Sequence, residues 1–417
     1  MMQILILAAS VAVVFGGRSP HADYIEETYG NDPDIHPDIL EDALLDVPGL
    51  VTKYGYPIES HEVVTPDNYI LTMHRIPHGR DRNNQPDPKK PIVFLMHGLL
   101  SSSADYLILG PSNALGYFLA DEGYDVWMGN ARGNFYSRRH RTLNPDTSNQ
   151  FWRFSWEEIG NIDLKAFIDY ILELTGQTKL HYIGHSQGGT VFLVLNSLRP
   201  EYNEKFISFQ GLAPASFFSY NEHPVFTNLA SMEAFIELAA FTMNRAEVFG
   251  NHEFINWFIE TLCSPGSSFE DLCNSVEVSG RSDYYNETVV PKILGHSPAG
   301  ASIRQFTHYG QGIRFNSFRR YNYNSRLTNL AVYGSPEPPN FNLNRITVPA
   351  YLHYSTKDTL VHPQDVELLA TKLANLQGKF LVPSETFDHL DFIWGSGVRG
   401  RLYEKVLGLM REAEASL

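Results

Sequence analysis

The stretch "LHYIGHSQGGTVFLVLNSL", residues 180–198, decides the fold. Residues 180–184 read as a strand buried on both faces, and residues 188–198 form an apolar segment long enough for a buried helix. Their junction, Gly184-His185-Ser186-Gln187-Gly188, fits the pattern G-x-S-x-G. A serine at a tight strand-to-helix turn is lifted above the sheet edge, and glycines around it leave room for a strained backbone. Ser186 is therefore a candidate nucleophile; the competing reading is a simple helix cap.

The same strand grammar recurs on either side. "YILTMHRI" (69–76) is β-branched and aromatic, "IVFLMHG" (92–98) is a continuous apolar run ended by glycine, and "YDVWMGN" (124–130) repeats it. The acidic, proline-spotted residues 20–50 are expected to wrap the surface before the core begins. Ile162, Phe167, Ile168, Ile171 and Leu174 recur at near-helical spacing, with Asn161 or Asp163 available as a cap and Gly176 as terminator. Past residue 216 the character changes to clustered aromatics (Phe217, Phe218, Tyr220, Phe226) without a buried strand, which reads as an insertion. Strand character resumes in "VPAYLHYS" (348–355), followed by a helix over 363–377, a last strand in "KFLVP" (379–383) and an amphipathic tail. The fold class that follows is α/β, a mostly parallel central sheet interrupted by a mainly helical cap. Its expected parts are a leader (1–17), a core segment before the insertion, the insertion from about Ser216 to Asn340, and a core segment after it.

With 417 residues, 43% hydrophobic and 19% charged, the chain can bury a large core, and it contains no repeat or low-complexity tract. A net charge of −15 argues against nucleic-acid binding, which needs a concentrated basic face. The one dense basic cluster, Arg138-Arg139-His140-Arg141, reads as a solvated or ion-paired loop. The apolar run from Ile4 to Phe15, followed by small residues, reads as a secretory signal too short to span a bilayer, and no later stretch is long enough to do so. In an oxidising compartment Cys263 and Cys273 read as a disulfide, worth about 3 kcal/mol by chain entropy, in preference to two free thiols. Asn286-Glu287-Thr288 is the glycosylation sequon. Histidines at zinc-site spacing are lacking, and neither metal nor cofactor is expected.

A serine nucleophile needs a base, and the base needs a carboxylate to fix its tautomer. In chain order Ser, acid, His, the candidates are Asp358, which follows the strand at 348–355, and His389, in the loop after the last strand. Asp365 falls inside a helix, Asp388 adjoins the histidine, and His362 precedes a proline, so all three are weaker competitors. Backbone N–H groups must also meet the developing oxyanion. Gln187 offers one, and the loop in "MHGLLSSS" (96–103) offers a second through Leu99, with Leu100 as the alternative.

With these residues placed, the chain resembles the acid lipase family that includes gastric lipase and lysosomal acid lipase, within the α/β-hydrolases. The similarity lies in "YGYPIESHEVVTPDNYIL", "FLMHGLLSSSADY", "GNARGNFYSRRH", "FWRFSWEEIGNIDL", "YIGHSQGG", "HSPAGAS" and "HLDFIWG", in order and spacing. It implies Ser186, Asp358 and His389 as a triad, Leu99 and Gln187 as oxyanion donors, Cys263–Cys273 as the lid-region disulfide, and a cap (217–342) with a lid within roughly 248–277, set between core segments 18–216 and 343–417. It also implies a secreted or lysosomal serine lipase acting on long-chain esters of neutral lipids at an interface. Rival readings are an esterase for small or specialised esters, an acyltransferase on the same triad, and a non-catalytic lipid-binding or storage protein. The chain departs from the family pattern at Gly189-Thr190 and at Ile162-Asp163-Leu164-Lys165-Ala166.

Overall fold

The computed structural model of the chain describes residues 17–221, 230–250 and 287–417. The expected leader up to residue 16, Cys263, Cys273, Asn286 and most of the expected lid lie outside the described residues.

Eight strands carry the main sheet: β1 (Glu59–Val64), β2 (Tyr69–Ile76), β3 (Ile92–Met96), β4 (Asp125–Gly129), β5 (Leu180–His185), β6 (Phe206–Leu212), β7 (Ala350–Tyr354) and β8 (Leu376–Leu381). Their order is β1-β2-β4-β3-β5-β6-β7-β8, with the short strand Arg139–His140 beside β2 as the ninth among the described residues. β3 pairs in parallel with β4 and β5, and the parallel pairing continues through β8; β2 is antiparallel to both β1 and β4. Burial follows from this order. β3, β4 and β5 are buried along their whole length, whereas β8 at the edge alternates, as a strand with one wet face must. Helices cover the sheet, and Phe192 of the helix Gln187–Leu198 stacks on Phe209 of β6 at 4.0 Å between ring centres.

The strand at 69–76 has the expected limits, but β1 and β6 went unread in the sequence. The helix expected over 363–377 stops at Ala370, and β8 starts at Leu376. Residues 20–50 form three short helices whose Ile25, Ala43, Val47 and Leu50 are buried, so this segment contributes to the core as well as wrapping it. Among the described residues the main sheet gains no strand between β6 and β7, and the insertion there is mostly helical, including Glu233–Thr242, Val290–His296 and Ile303–Phe315, with one short pairing of Glu247–Val248 to Ala301–Ser302. In the basic cluster, Arg138 pairs with Asp146 and Glu247, and Arg139 pairs with Glu62.

Neither Asn161 nor Asp163 caps a helix. Helical structure begins earlier, at Trp156, where Ser155 and Glu158 form a capping box, runs through a π-helical turn at Ile159–Leu164 and ends at Gly176. Asp163 instead accepts from the buried Arg132 guanidinium at 2.6 and 2.8 Å and from the Arg132 N–H at 3.1 Å; Asp67 holds the other face at 2.6 Å. Burial pushes Asp163 up to about 6 against the pull of Arg132. Replacing Arg132 by methionine leaves Asp163 buried and unpaired, which costs about 3–5 kcal/mol. A carboxyl raised in the folded state stabilises most when protonated, so this penalty shrinks toward acid pH. Urea denaturation of R132M at about pH 7 and about pH 4 is expected to give the larger loss at pH 7.

Candidate functional site

β5 ends at His185, and the next residue breaks direction: Ser186 sits at φ +52°, ψ −116°, a conformation that a side-chain-bearing residue adopts only under constraint. The Ser186 N–H donates to Leu212 of β6 at 2.9 Å, and its carbonyl accepts from Gly189, Thr190 and Ala215 at 2.9, 3.3 and 3.2 Å. A Cβ at Gly188 would lie 2.0 Å from the Met96 carbonyl oxygen at the end of β3, so the helix start presses onto the neighbouring strand as only glycine permits. Ser186 is partly exposed at this turn.

Asp358 lies in the turn after β7, and His389 in the loop that begins beyond β8. The two side chains meet: His389 Nδ1 donates to Asp358 Oδ2 at 2.8 Å, while the N–H groups of Leu360 and Val361 donate to Asp358 Oδ1 at 2.9 and 2.7 Å. An ionised carboxylate can only accept, so Nδ1 carries the proton and Nε2 keeps its lone pair. Both residues are 4% exposed. Burial works to lower the His389 pKa, but the charge and hydrogen bond of Asp358, joined by the charge of Asp388, outweigh it and hold the imidazole above its ordinary value. His185, beside Ser186, donates from Nε2 to the His389 carbonyl at 3.0 Å, which ties the histidine loop to the serine turn. Burial, followed by the charge of His389, holds His185 well below the ordinary histidine value, so it stays neutral.

The backbone N–H groups of Leu99 and Gln187 find no acceptor among the described residues. Leu99 belongs to a turn that begins at Gly98, whose Cβ position is only 3.4 Å from the Cβ of Ser186, so turn and serine are adjacent. The side chain of Gln187 is drawn away: its Nε2 donates to Gln305 Oε1 at 2.7 Å. Among the weaker candidates, Asp365 accepts the N–H groups of Ser219 and Tyr220 at 2.9 and 3.2 Å, and His362 caps its helix and stacks on Tyr220. Asp388 accepts from the N–H groups of His389 and Thr359 at 2.7 and 3.1 Å, and thus braces the loop instead of orienting the imidazole. Ala299 and Gln305 are contacts that sequence reasoning missed: Ala299 N–H donates to the Leu100 carbonyl at 2.6 Å across almost two hundred residues, a distance no local pattern encodes.

Among the described residues no three His, Cys, Asp or Glu side chains converge as a metal-holding group, and no helix is long and apolar enough to cross a membrane. The arrangement comprises a partly exposed serine at a strained turn, a histidine fixed by a buried carboxylate, and two backbone N–H groups without an acceptor among the described residues.

Comparison with known proteins gives a concordant result. Residues 47–110 match the partial α/β-hydrolase lipase region, and residues 91–243 match the α/β-hydrolase fold. The chain is 44% identical to Lipase 1 of Drosophila melanogaster, over 89% of this chain and 81% of that one. It is 36% identical to the gastric triacylglycerol lipase of Bos taurus, over 89% and 92% of the two chains. It is 34% identical to the lysosomal acid lipase/cholesteryl ester hydrolase of Homo sapiens, over 88% and 91%. Among solved structures, the crystal structure of a putative lipase from Sulfolobus solfataricus shares the fold at 15% identity and a TM-score of 0.52, over 85% of this chain and 94% of that one. The protein belongs to the gastric and lysosomal acid lipase family of α/β-hydrolases and is a carboxylic ester hydrolase.

Proposed function

We propose that the protein hydrolyses long-chain fatty-acid esters of neutral lipids, triacylglycerol or sterol ester, through an acyl-enzyme on Ser186. The observation that carries this reading is the 2.8 Å bond from His389 Nδ1 to Asp358 Oδ2, made by a histidine whose loop is tied to the serine turn. His389 Nε2 takes the Ser186 proton as Oγ attacks the ester carbonyl and returns it to the leaving alcohol; water then repeats the cycle and releases the fatty acid. Asp358 holds the tautomer and stabilises the imidazolium. The N–H groups of Leu99 and Gln187 meet the oxyanion, each such donor being worth about 3–4 kcal/mol in related chemistry.

Residues 217–342 act as the cap over this site. The helix Glu233–Thr242 leaves Phe235 65% and Leu238 67% exposed, with Met232 and Met243 half-exposed or more beside it, which supports a substrate presented at a lipid surface. The substrates named in the gastric triacylglycerol lipase and the lysosomal acid lipase/cholesteryl ester hydrolase support the same class. The apolar leader from Ile4 to Phe15 supports passage through the secretory pathway, to the extracellular fluid or the lysosome.

Ser186→Ala is expected to lower kcat roughly a million-fold with an unchanged thermal midpoint, and Asp358→Asn about ten-thousand-fold. Fatty-acid release from emulsified trioleoylglycerol and cholesteryl oleate is the assay, and full activity in S186A would refute the assignment. A second expectation concerns pH. The base acts only when neutral, so kcat/KM on a soluble ester falls as pH drops through the His389 pKa, which Asp358 and Asp388 hold up against burial. Asp388→Asn removes one of those charges and keeps an oxygen for Thr359 and His389 N–H, so the acid limb is expected to move to lower pH. A pH–rate profile whose acid limb stays in place or moves upward would contradict this.

A further inference from the structure

The Leu99 N–H belongs to a turn closed by the Ser101 N–H, which reaches the Gly98 carbonyl at 3.4 Å, with Leu100 at φ +63° between them. The Leu100 carbonyl accepts from the Ala299 N–H at 2.6 Å, and the carbonyl of Ala299 accepts in turn from the Phe135 N–H at 2.8 Å. The peptide unit that supplies the Ala299 N–H carries the Pro298 carbonyl on its opposite side, because the two groups of a trans peptide point apart. That carbonyl meets His21 Nε2 at 2.6 Å. A carbonyl can only accept, so Nε2 carries the proton and donates it. One peptide unit therefore stands between His21 and the turn, gripped at its oxygen by the first and gripping the second with its N–H.

His21 is itself firmly placed. It occupies the N-cap position of the helix Ala22–Tyr29, yet its side chain makes no capping bond and is spent on Pro298 instead. The residue is 4% exposed, and its own N–H donates to the Gly295 carbonyl at 3.1 Å. Around it the N-terminal helices and the segment before Pro298 are locked together. A Cβ at Gly295 would lie 2.2 Å from the Ala43 carbonyl oxygen, and His296 Nε2 donates to the Asp42 carbonyl at 3.1 Å. The buried Asp42 carboxylate pairs with Lys292 at 2.6 Å and with Lys53 at 2.7 Å. These contacts hold the segment without the His21 side chain, so a change confined to that side chain removes the grip on one peptide.

We propose that His21 is a positioning residue for ester hydrolysis: its Nε2–H orients the Pro298–Ala299 peptide, whose N–H fixes the Leu100 carbonyl and with it the turn that presents Leu99. The inference rests on the reading of Leu99 as an oxyanion donor. Hydrogen bonds in series polarise one another, so the bond from His21 strengthens the bond to Leu100 as well as aiming it. A donor already in place costs no reorganisation when charge develops on the substrate oxygen. Loss of the His21 bond therefore weakens binding of the transition state more than binding of the substrate.

The test compares the wild type with His21→Gln, His21→Asn and His21→Leu. Glutamine carries its N–H one bond beyond the δ carbon, as histidine carries Nε2, and can still reach Pro298; asparagine stops one carbon short, and leucine has no donor. Three quantities are measured on folded protein: kcat and KM on a soluble ester, the inhibition constant of a trifluoromethyl ketone whose adduct on Ser186 bears an oxyanion, and the thermal midpoint. H21L and H21N are expected to lower kcat about five-fold with KM within about two-fold, and to weaken the ketone in step with kcat. H21Q is expected to recover most of both. Should leucine prevent folding, H21N against H21Q still decides. A role confined to stability would lower the midpoint and leave kcat and the ketone at wild-type values, and that result, or equal losses in H21Q and H21N, would overturn the proposal. A crystal structure of the wild type carrying the ketone separates this inference from its premise. An oxyanion placed away from the Leu99 N–H removes the donor reading and the inference together, whereas an oxyanion on that N–H with unchanged kinetics in H21L and H21N removes the role of His21 alone.

Discussion

The structure depends on one strained residue. Ser186 at φ +52°, ψ −116° occupies a region that costs about 1–3 kcal/mol for a residue with a side chain, so the surroundings must over-determine it. They do so from three directions. Its N–H is taken by β6, its carbonyl by three N–H donors, and the helix that follows is pressed against the end of β3 at Gly188. Strand order follows the same demand: β5 lies between β3 and β6 because both neighbours must reach the turn.

The electrostatics divide two adjacent histidines into different roles. The rings of His185 and His389 lie 4.9 Å apart, and two imidazolium ions at that distance would repel strongly. Only His389 has a carboxylate partner. His185 spends Nε2–H on the His389 carbonyl, its Nδ1 has no partner, and burial keeps it neutral. Of the two rings only His389 is held above its ordinary pKa, and the neighbouring ring braces its loop through the carbonyl.

Much of this was legible in the sequence because it is written locally. The strand-to-helix junction around Ser186, the continuous apolar runs of β3, β4 and β5, and the placement of Asp358 and His389 after strands each follow from residues close together in the chain. β1 and β6 escaped notice for a physical reason. β1 is an edge strand with polar residues on its wet face, and β6, "FISFQGL", buries Ser208 and Gln210, so neither reads as an apolar run. Asp163 was misread as a cap because its partner, Arg132, lies 31 residues away; a buried ion pair leaves no periodic trace.

The inserted segment is joined to the chemistry more closely than a cover would be. Ala299 holds the Leu100 carbonyl, Gln305 holds the side chain of Gln187, and Tyr309 places its hydroxyl 2.9 Å from that of Thr190, which itself donates to Ala215 at 2.6 Å. These contacts give physical content to the departure at Gly189-Thr190. A Cβ at Gly189 would stand 2.4 Å from Pro214 Cβ, so a larger residue there would force the chain leaving β6 outward, and the segment that begins with it would move as well. Thr190 fixes the same exit from the other side. The small residue and the hydroxyl act together to fix where the inserted segment leaves β6 beside the serine turn.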